Sequence, residues 1–335
     1  LEAERIALRE KVWEAAWRYG SLELNTNSGV VRGVRIATSS GWAIYSARGG
    51  RSWRELEEKA GLIRRRLRGS MRLVGVDKYD GRVTLGVVGG DPEDSILDAA
   101  ARMGGLLEEK GLKGEIIVVV NDASKRIEHE AGVAEERRAV TEIYVYADAR
   151  IRGRRSIGSS AHIMLGGPEG ISGRLAESLV EKAAHRAVYG LKAEPLGPLD
   201  KGKYEVILAG EASAAFLHEL GHLLEADQPG HLKRGVRISN LSIAIRDDPF
   251  TPGSPASRAF DDEAVSSTRR VLVEDGIVED LLHTRETAYR LSGKPGSARG
   301  LFHIPKAMHT TLILEPGDWR GRHHAPLKEQ GNSVR

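Results

Sequence analysis

The sequence predicts an α+β protein of two domains. Residues 1–195 read as a helix-and-sheet domain, and residues 196–335 as a strand-rich domain that carries a helix with two closely spaced histidines. Three observations predict this. At 335 residues the chain exceeds one ordinary hydrophobic core. Segments with apolar residues at every second position are interspersed with segments of helical period. Between residues 191 and 202 (LKAEPLGPLDKG), prolines and glycines interrupt the periodic segments, as at a domain boundary.

In chain order, residues 1–19 read as an amphipathic helix, with Ile6, Val12, Trp13, Ala16 and Trp17 near one face and Gly20 as its stop. Val30–Ala37 and Trp42–Ala47 are β-rich runs around Thr38-Ser39-Ser40-Gly41, a predicted hairpin. Ser52 and Glu55 form a capping-box signature, so a helix is predicted from there to about Leu67. Arg82–Val88 reads as a strand, and Asp91-Pro92 opens a helix ending near Gly111. Glu115–Val120 reads as a buried strand; Val140–Ala147 and Ala161–Leu165 read as half-exposed strands. Ser172 opens a helix to Tyr189, with Gly190 as its stop. Beyond the boundary, Tyr204–Leu208 reads as a strand and residues 212–226 as a helix. Residues 246–258 are a Pro/Gly/Ser loop of the kind that lines sites. Arg270–Glu274 and Ile277–Leu282 flank Asp275-Gly276, a two-residue hairpin signal. Thr284–Leu291 is a capped helix and Thr310–Leu314 a last strand.

Composition bounds the function. Fifty basic residues against 47 acidic ones leave a net charge of +3, too little to predict a nucleic-acid partner. Cysteine is absent, which excludes disulfides, thiol catalysis and thiolate ligands. Apolar runs such as Ile116–Val120 fall far short of a membrane span, and the N-terminus has no signal-peptide core, so a cytoplasmic protein with no membrane partner is expected.

The chemistry lies in residues 216–227, FLHELGHLLEAD, which contain His218-Glu219-x-x-His222. On a helix, residues four apart differ by about 40° in direction, so both imidazoles leave one face. Two neutral imidazoles so placed can hold one Zn²⁺, with Glu219 able to take a proton from an attacking water. The motif should arise by chance in roughly a few chains per hundred. Phe216, Leu220, Leu223 and Leu224 fall on another face, which separates a metal face from a core face. Glu225, three residues after His222, reads as a candidate third ligand, an acceptor for a ligand imidazole, or an exposed helix-end glutamate. His231 does not fit a third histidine of the HExxHxxGxxH pattern, because Glu225 and Gln228 stand at its Gly and His positions.

The stretch KGKYEVILAGEASAAFLHELGHLLEAD resembles the metal-site segment of the TldD/PmbA family. AFDDEAVSSTRRVLVEDGIVEDLLHTRETAYRL, PGSAR and LEPGD resemble later family positions, and GVRIATSSGWAIYSA is similar to the family's early hairpin. The resemblance implies a cytoplasmic zinc peptidase acting on unfolded or short peptide substrates. It implies His218 and His222 as ligands and Glu219 as general base. It also implies a partner, a PmbA/TldE-like paralogue without the metal motif, or a homo-oligomer. The chain departs from the family in two ways: it has one residue fewer between the histidines, and it lacks the family's cysteine ligand. The second departure keeps a rival reading open, a non-catalytic subunit with an incomplete metal site that acts as partner or scaffold. An oxygen ligand in place of thiolate would bind zinc less tightly.

Weaker signals have plainer readings. Residues 166–173 (GGPEGISG) precede a helix and could cradle an anion, but a loop with a helix cap suffices. Arg64, Arg65, Arg66 and Arg68 read as a solvated helix face rather than a nucleic-acid stripe, and His323 with His324, a pair that could bind metal, as part of a tail. Asp261, Asp262 and Glu263 could offer a ligand, contact substrate, or form a turn with solvent-facing carboxylates.

Overall fold

A computed structural model describes residues 2–194, 197, 202–203 and 206–316 of the chain. The first half comprises β1 (Glu2–Arg18), β2 (Ser21–Thr38), β3 (Gly41–Arg48), α1 (Trp53–Arg64), β4 (Gly81–Leu85), α2 (Glu93–Glu109), β5 (Lys113–His129), β6 (Gly132–Ile151), β7 (Arg154–Leu165) and α3 (Gly173–Gly190). The strands form one sheet in the order β3-β2-β1-β5-β6. At its far edge β4 pairs parallel with Ala134–Arg138 of β6, and β7 pairs antiparallel with Val140–Ile151, so the two lie end to end.

The N-terminal segment is a strand, which corrects the helical expectation. β1 is paired along its length with β2 on one side and along most of it with β5 on the other. Its Ala-, Glu- and Arg-rich sequence favours helix locally, but a central position in a sheet outweighs propensities of a few tenths of a kcal/mol per residue. Trp13, Ala15 and Trp17 alternate onto one face, and all three are buried. Tyr19 and Gly20, with φ of 50° and 93°, are the two central residues of a tight hairpin turn, and Gly20 is no helix cap.

The long strands change their buried face part-way along. Trp13, Trp17, Ile116, Val118, Val120, Ile143 and Val145 face α2 and α3 and form the largest core. Toward the other end of the same strands the parity switches: Ile6, Ile127 and Ala134 face the opposite side and pack against Phe260 and Ala264 of the second half. The phase change hides the full strand lengths from a period-two reading, which finds only residues 115–120 and 140–147 of β5 and β6. α1 covers β2 and β3 through Leu56 and Ala60, with its capping box formed by Ser52 and Glu55. Ser172 caps α3, and α2 begins one residue after Pro92.

The second half comprises α4 (Glu211–His222), β8 (Ile245–Asp247), β9 (Arg270–Glu274), β10 (Ile277–Val278), α5 (Arg285–Leu291), β11 (Ala298–Arg299), β12 (Lys306–Ala307) and β13 (Leu312–Leu314). β10-β9-β8-β13 form a small sheet over a core of Leu224, Ile245, Leu272, Val273 and Leu282. The Asp275-Gly276 turn has φ of 48° and 72°, as the hairpin signal requires. Of the predicted strand 204–208, Tyr204 and Glu205 lie outside the described residues, and Val206–Leu208 belong to no strand. The helix predicted to reach residue 226 stops at His222. Beyond it, Leu224 O accepts from Leu282 N at 2.9 Å and Ala226 N donates to Leu282 O at 3.0 Å, which draws Leu224 and Ala226 into the core.

Charge as well as apolar contact joins the halves. Arg35, 1% exposed, donates to Glu4, Gly300 O and Asp262 O. Lys125 donates to Asp262 at 3.1 Å, and Arg285 grips Glu2 with both terminal nitrogens. Asp261, Asp262 and Glu263 are therefore buried, which corrects the solvent-facing reading. Asp261 accepts backbone N–H groups from Glu263, Val265 and Ala298, each at 2.9 Å. Burial works to raise Asp262, but Lys125, Arg258 and Arg299 hold its pKa well below the usual range. Glu263 is raised by burial and by the neighbouring Asp261 carboxyl, and its Oε1 has no partner among the described residues.

The raised Glu263 sets a pH prediction. A carboxyl raised in the folded state contributes stability below its ordinary pKa of 4.5, and that contribution is lost as pH rises through the raised value. Relative to Glu263→Gln, the wild type should therefore lose unfolding free energy between pH 5 and pH 9. Urea unfolding of both proteins at the two pH values reads this. A difference that does not change with pH would mean Glu263 ionisation is not linked to folding.

Candidate metal centre

α4 presents His218 and His222 one turn apart, as the spacing predicts. Glu211 in its first turn pairs with Lys182 and Arg186 of α3. Past His222 the chain closes in tight turns, with Leu224 N donating to Gly221 O at 3.0 Å and Glu225 N to His222 O at 3.3 Å. The turn directs Glu225 inward, where it is 1% exposed, so the exposed reading of this residue is corrected.

A residue that sequence reasoning missed completes the cluster: His309, between β12 and β13. Its ring centroid lies 4.7 Å from that of His218 and 5.2 Å from that of His222, and the latter two are 4.6 Å apart. His222 Nε2 meets His218 Nε2 at 3.1 Å, and His309 Nε2 meets His218 Nδ1 at 3.0 Å. Glu225 Oε1 lies 3.0 Å from His222 Nδ1 and 3.2 Å from His309 Nδ1, while Oε2 accepts from Gln228 at 3.2 Å. Burial pushes the Glu225 carboxyl up, but hydrogen bonds from His309, His222 and Gln228 bring it below its usual range.

These residues fit a divalent cation. Donor atoms of His222, Glu225 and His309 all lie within 4.8 Å of one another. The Nε2 atoms of His222 and His218, 3.1 Å apart, are near the separation of about 3.3 Å between two nitrogens bound tetrahedrally at ~2.0–2.1 Å, and His309 Nε2 lies 3.0 Å from the other ring nitrogen of His218. Glu225, His222, His218 and His309 close a ring of four contacts.

Glu219 is exposed on α4, beside His218. The other sequence candidates lie elsewhere. Asp261, Asp262 and Glu263 are spent on the junction. His231 Nδ1 faces the carbonyl of the following residue, Leu232 O, 2.7 Å away. In residues 166–173, the Glu169 carboxylate accepts from Gly89 N at 3.0 Å. Arg64, Arg65, Arg66 and Arg68 are exposed, and His323 and His324 lie outside the described residues.

Residues 201–330 match the PmbA/TldA metallopeptidase C-terminal domain. A metalloprotease of Methanocaldococcus jannaschii is 36% identical over 152 residues, which is 42% of this chain and 33% of the relative. A metalloprotease of Synechocystis is 36% identical over 45% of this chain and 33% of its own length. The matched stretch thus spans about a third of these relatives. The fold is shared more widely. TldE from Thermococcus kodakarensis superposes with a TM-score of 0.71 at 15% identity, covering 94% of this chain and 75% of that one. A Thermotoga maritima structure described as a candidate modulator of a DNA gyrase gives 0.75 at 18% identity, covering 94% and 74%.

Proposed function

Since the chain belongs to the TldD/PmbA metallopeptidase family, we propose that it hydrolyses peptide bonds in unfolded or short peptide substrates, with zinc held by the α4 histidines and Glu219 as general base. The observation that carries this reading is the convergence of three imidazoles and a buried carboxylate on the HExxH helix. When bound, zinc supplies a Lewis acid that polarises a carbonyl and eases deprotonation of water. The chain's own residues do the rest. His218 and His222 offer ring nitrogens on one helix face. Glu225 orients imidazoles from behind. Glu219 is exposed, so its carboxylate can take a proton from water and pass it to a leaving amine. His218 is exposed as well, which leaves the site reachable by an extended chain.

A cytoplasmic location and assembly with a metal-less paralogue or a second copy belong to the same reading. They rest on the family and on the fold shared with TldE. No described helix is long and apolar enough to cross a membrane.

The test is metal content together with hydrolysis of an unfolded protein substrate. Wild type should hold one zinc per chain, and His218→Ala and His222→Ala should each lose it at least tenfold. Size-exclusion chromatography of the same samples reads the assembly state. Wild type that takes up no zinc and leaves substrate uncut would overturn the proposal in favour of a non-catalytic subunit.

A further inference from the structure

We infer that His309 is the third protein ligand of the metal centre. Glu225 then stays outside the ligand set, gripping Nδ1 of His222 and His309 so that their Nε2 atoms face the ion. The inference rests on the metal reading above and divides the roles within it.

The backbone around His309 is held from both sides. Asp227 Oδ2 accepts from Ala307 N at 3.1 Å, two residues before it. Asp247 Oδ1 accepts from Thr310 N at 2.7 Å and Thr311 N at 2.8 Å, just after it. Met308 N donates to Ser297 O at 2.9 Å. Asp247 is buried, so its carboxylate is desolvated in order to fix this short stretch. Gly221 leaves room for the approach. A Cβ there would stand 2.5 Å from Leu312 Cδ1 and 3.0 Å from His309 Nδ1. One side chain more on α4 would push His309 away.

Glu225 has the geometry of a supporting carboxylate. One of its oxygens serves two Nδ1 atoms and the other takes Gln228. A carboxylate accepting Nδ1–H fixes the tautomer in which Nε2 has a lone pair for metal. One oxygen doing this for two rings aligns both.

The arrangement also ties the helix down. Among its described residues α4 buries only Gly221, whereas α3 buries six residues. An ion shared between α4 and His309 links the helix to the stretch before β13 and supplies a contact that packing does not.

Cobalt and zinc loading of the purified chain test this. In His309→Cys loaded with Co²⁺, a thiolate-to-cobalt charge-transfer band should appear, which the cysteine-free wild type cannot show. His309→Ala should bind Zn²⁺ at least 100-fold more weakly, and zinc should slow amide hydrogen exchange in α4 of wild type but not of this variant. Glu225→Gln should weaken zinc about 10- to 100-fold and leave the Co²⁺ ligand-field bands of wild type in place. Two results overturn the inference while the metal reading stands. One is wild type that binds zinc with His309→Ala equally tight and no thiolate band in His309→Cys. The other is loss of the wild-type cobalt spectrum in Glu225→Gln alone. Wild type that binds neither ion overturns the metal reading itself.

Discussion

Glu219→Gln should reduce peptide hydrolysis by about 10²- to 10⁴-fold, the usual contribution of a positioned acid–base group, and leave zinc content unchanged. Of the carboxylates around the imidazole cluster, Glu219 and Glu225 stand in different surroundings. Glu225 is buried with both oxygens engaged by His222, His309 and Gln228. Glu219 is exposed beside His218 and faces the solvent from which water and substrate arrive. An amide at position 219 keeps size and polarity but cannot accept a proton at neutral pH. Steady-state hydrolysis of an unfolded substrate and metal analysis of the same preparation read the two effects separately. Activity within threefold of wild type would assign the base elsewhere. Loss of zinc alongside activity would make Glu219 a ligand or a structural residue.

Arg35→Met should cost about 3–5 kcal/mol of unfolding free energy, the range for breaking a buried ion pair from one side. The Arg35 guanidinium is fully enclosed and is shared between Glu4 on β1 and the carbonyls of Gly300 and Asp262. Its removal leaves two carbonyls without that donor and leaves Glu4 with Lys78 as its remaining cation. The double variant Arg35→Met/Glu4→Leu should recover part of the loss, since an apolar pair of similar volume avoids the stranded charge. Urea unfolding of the two single variants and the double variant measures the coupling. A cost under 1 kcal/mol for Arg35→Met would show that the network does not hold the sheet to the second half.

Much of the fold was legible wherever a signal is local. Ser52, Ser172 and Thr284 cap helices as read, because a capping side chain bonds to an N–H within three residues. Asp275-Gly276 makes its turn because both residues accept positive φ. The N-terminal strand was illegible for a physical reason: Trp13 and Trp17, four residues apart, fit a helical stripe and a strand face nearly as well, and only pairing with β2 and β5 decides between them. The acids at 261–263 misled in the same way. Three carboxylates in a row resemble a solvated turn until Lys125 and Arg35 arrive from strands far upstream.

For the candidate site, the sequence by itself determined the helix, the histidine pair on one of its faces and Glu219 beside them. All of these follow from positions within about one helical turn of each other. The tertiary structure alone brought His309 to them, turned Glu225 inward and left room at Gly221. His309 is one histidine among 11. Its approach depends on Asp227 and Asp247 fixing the chain on either side of it. Contacts between residues more than 80 positions apart leave no periodic trace in a single sequence, because the chain between them sets no spacing.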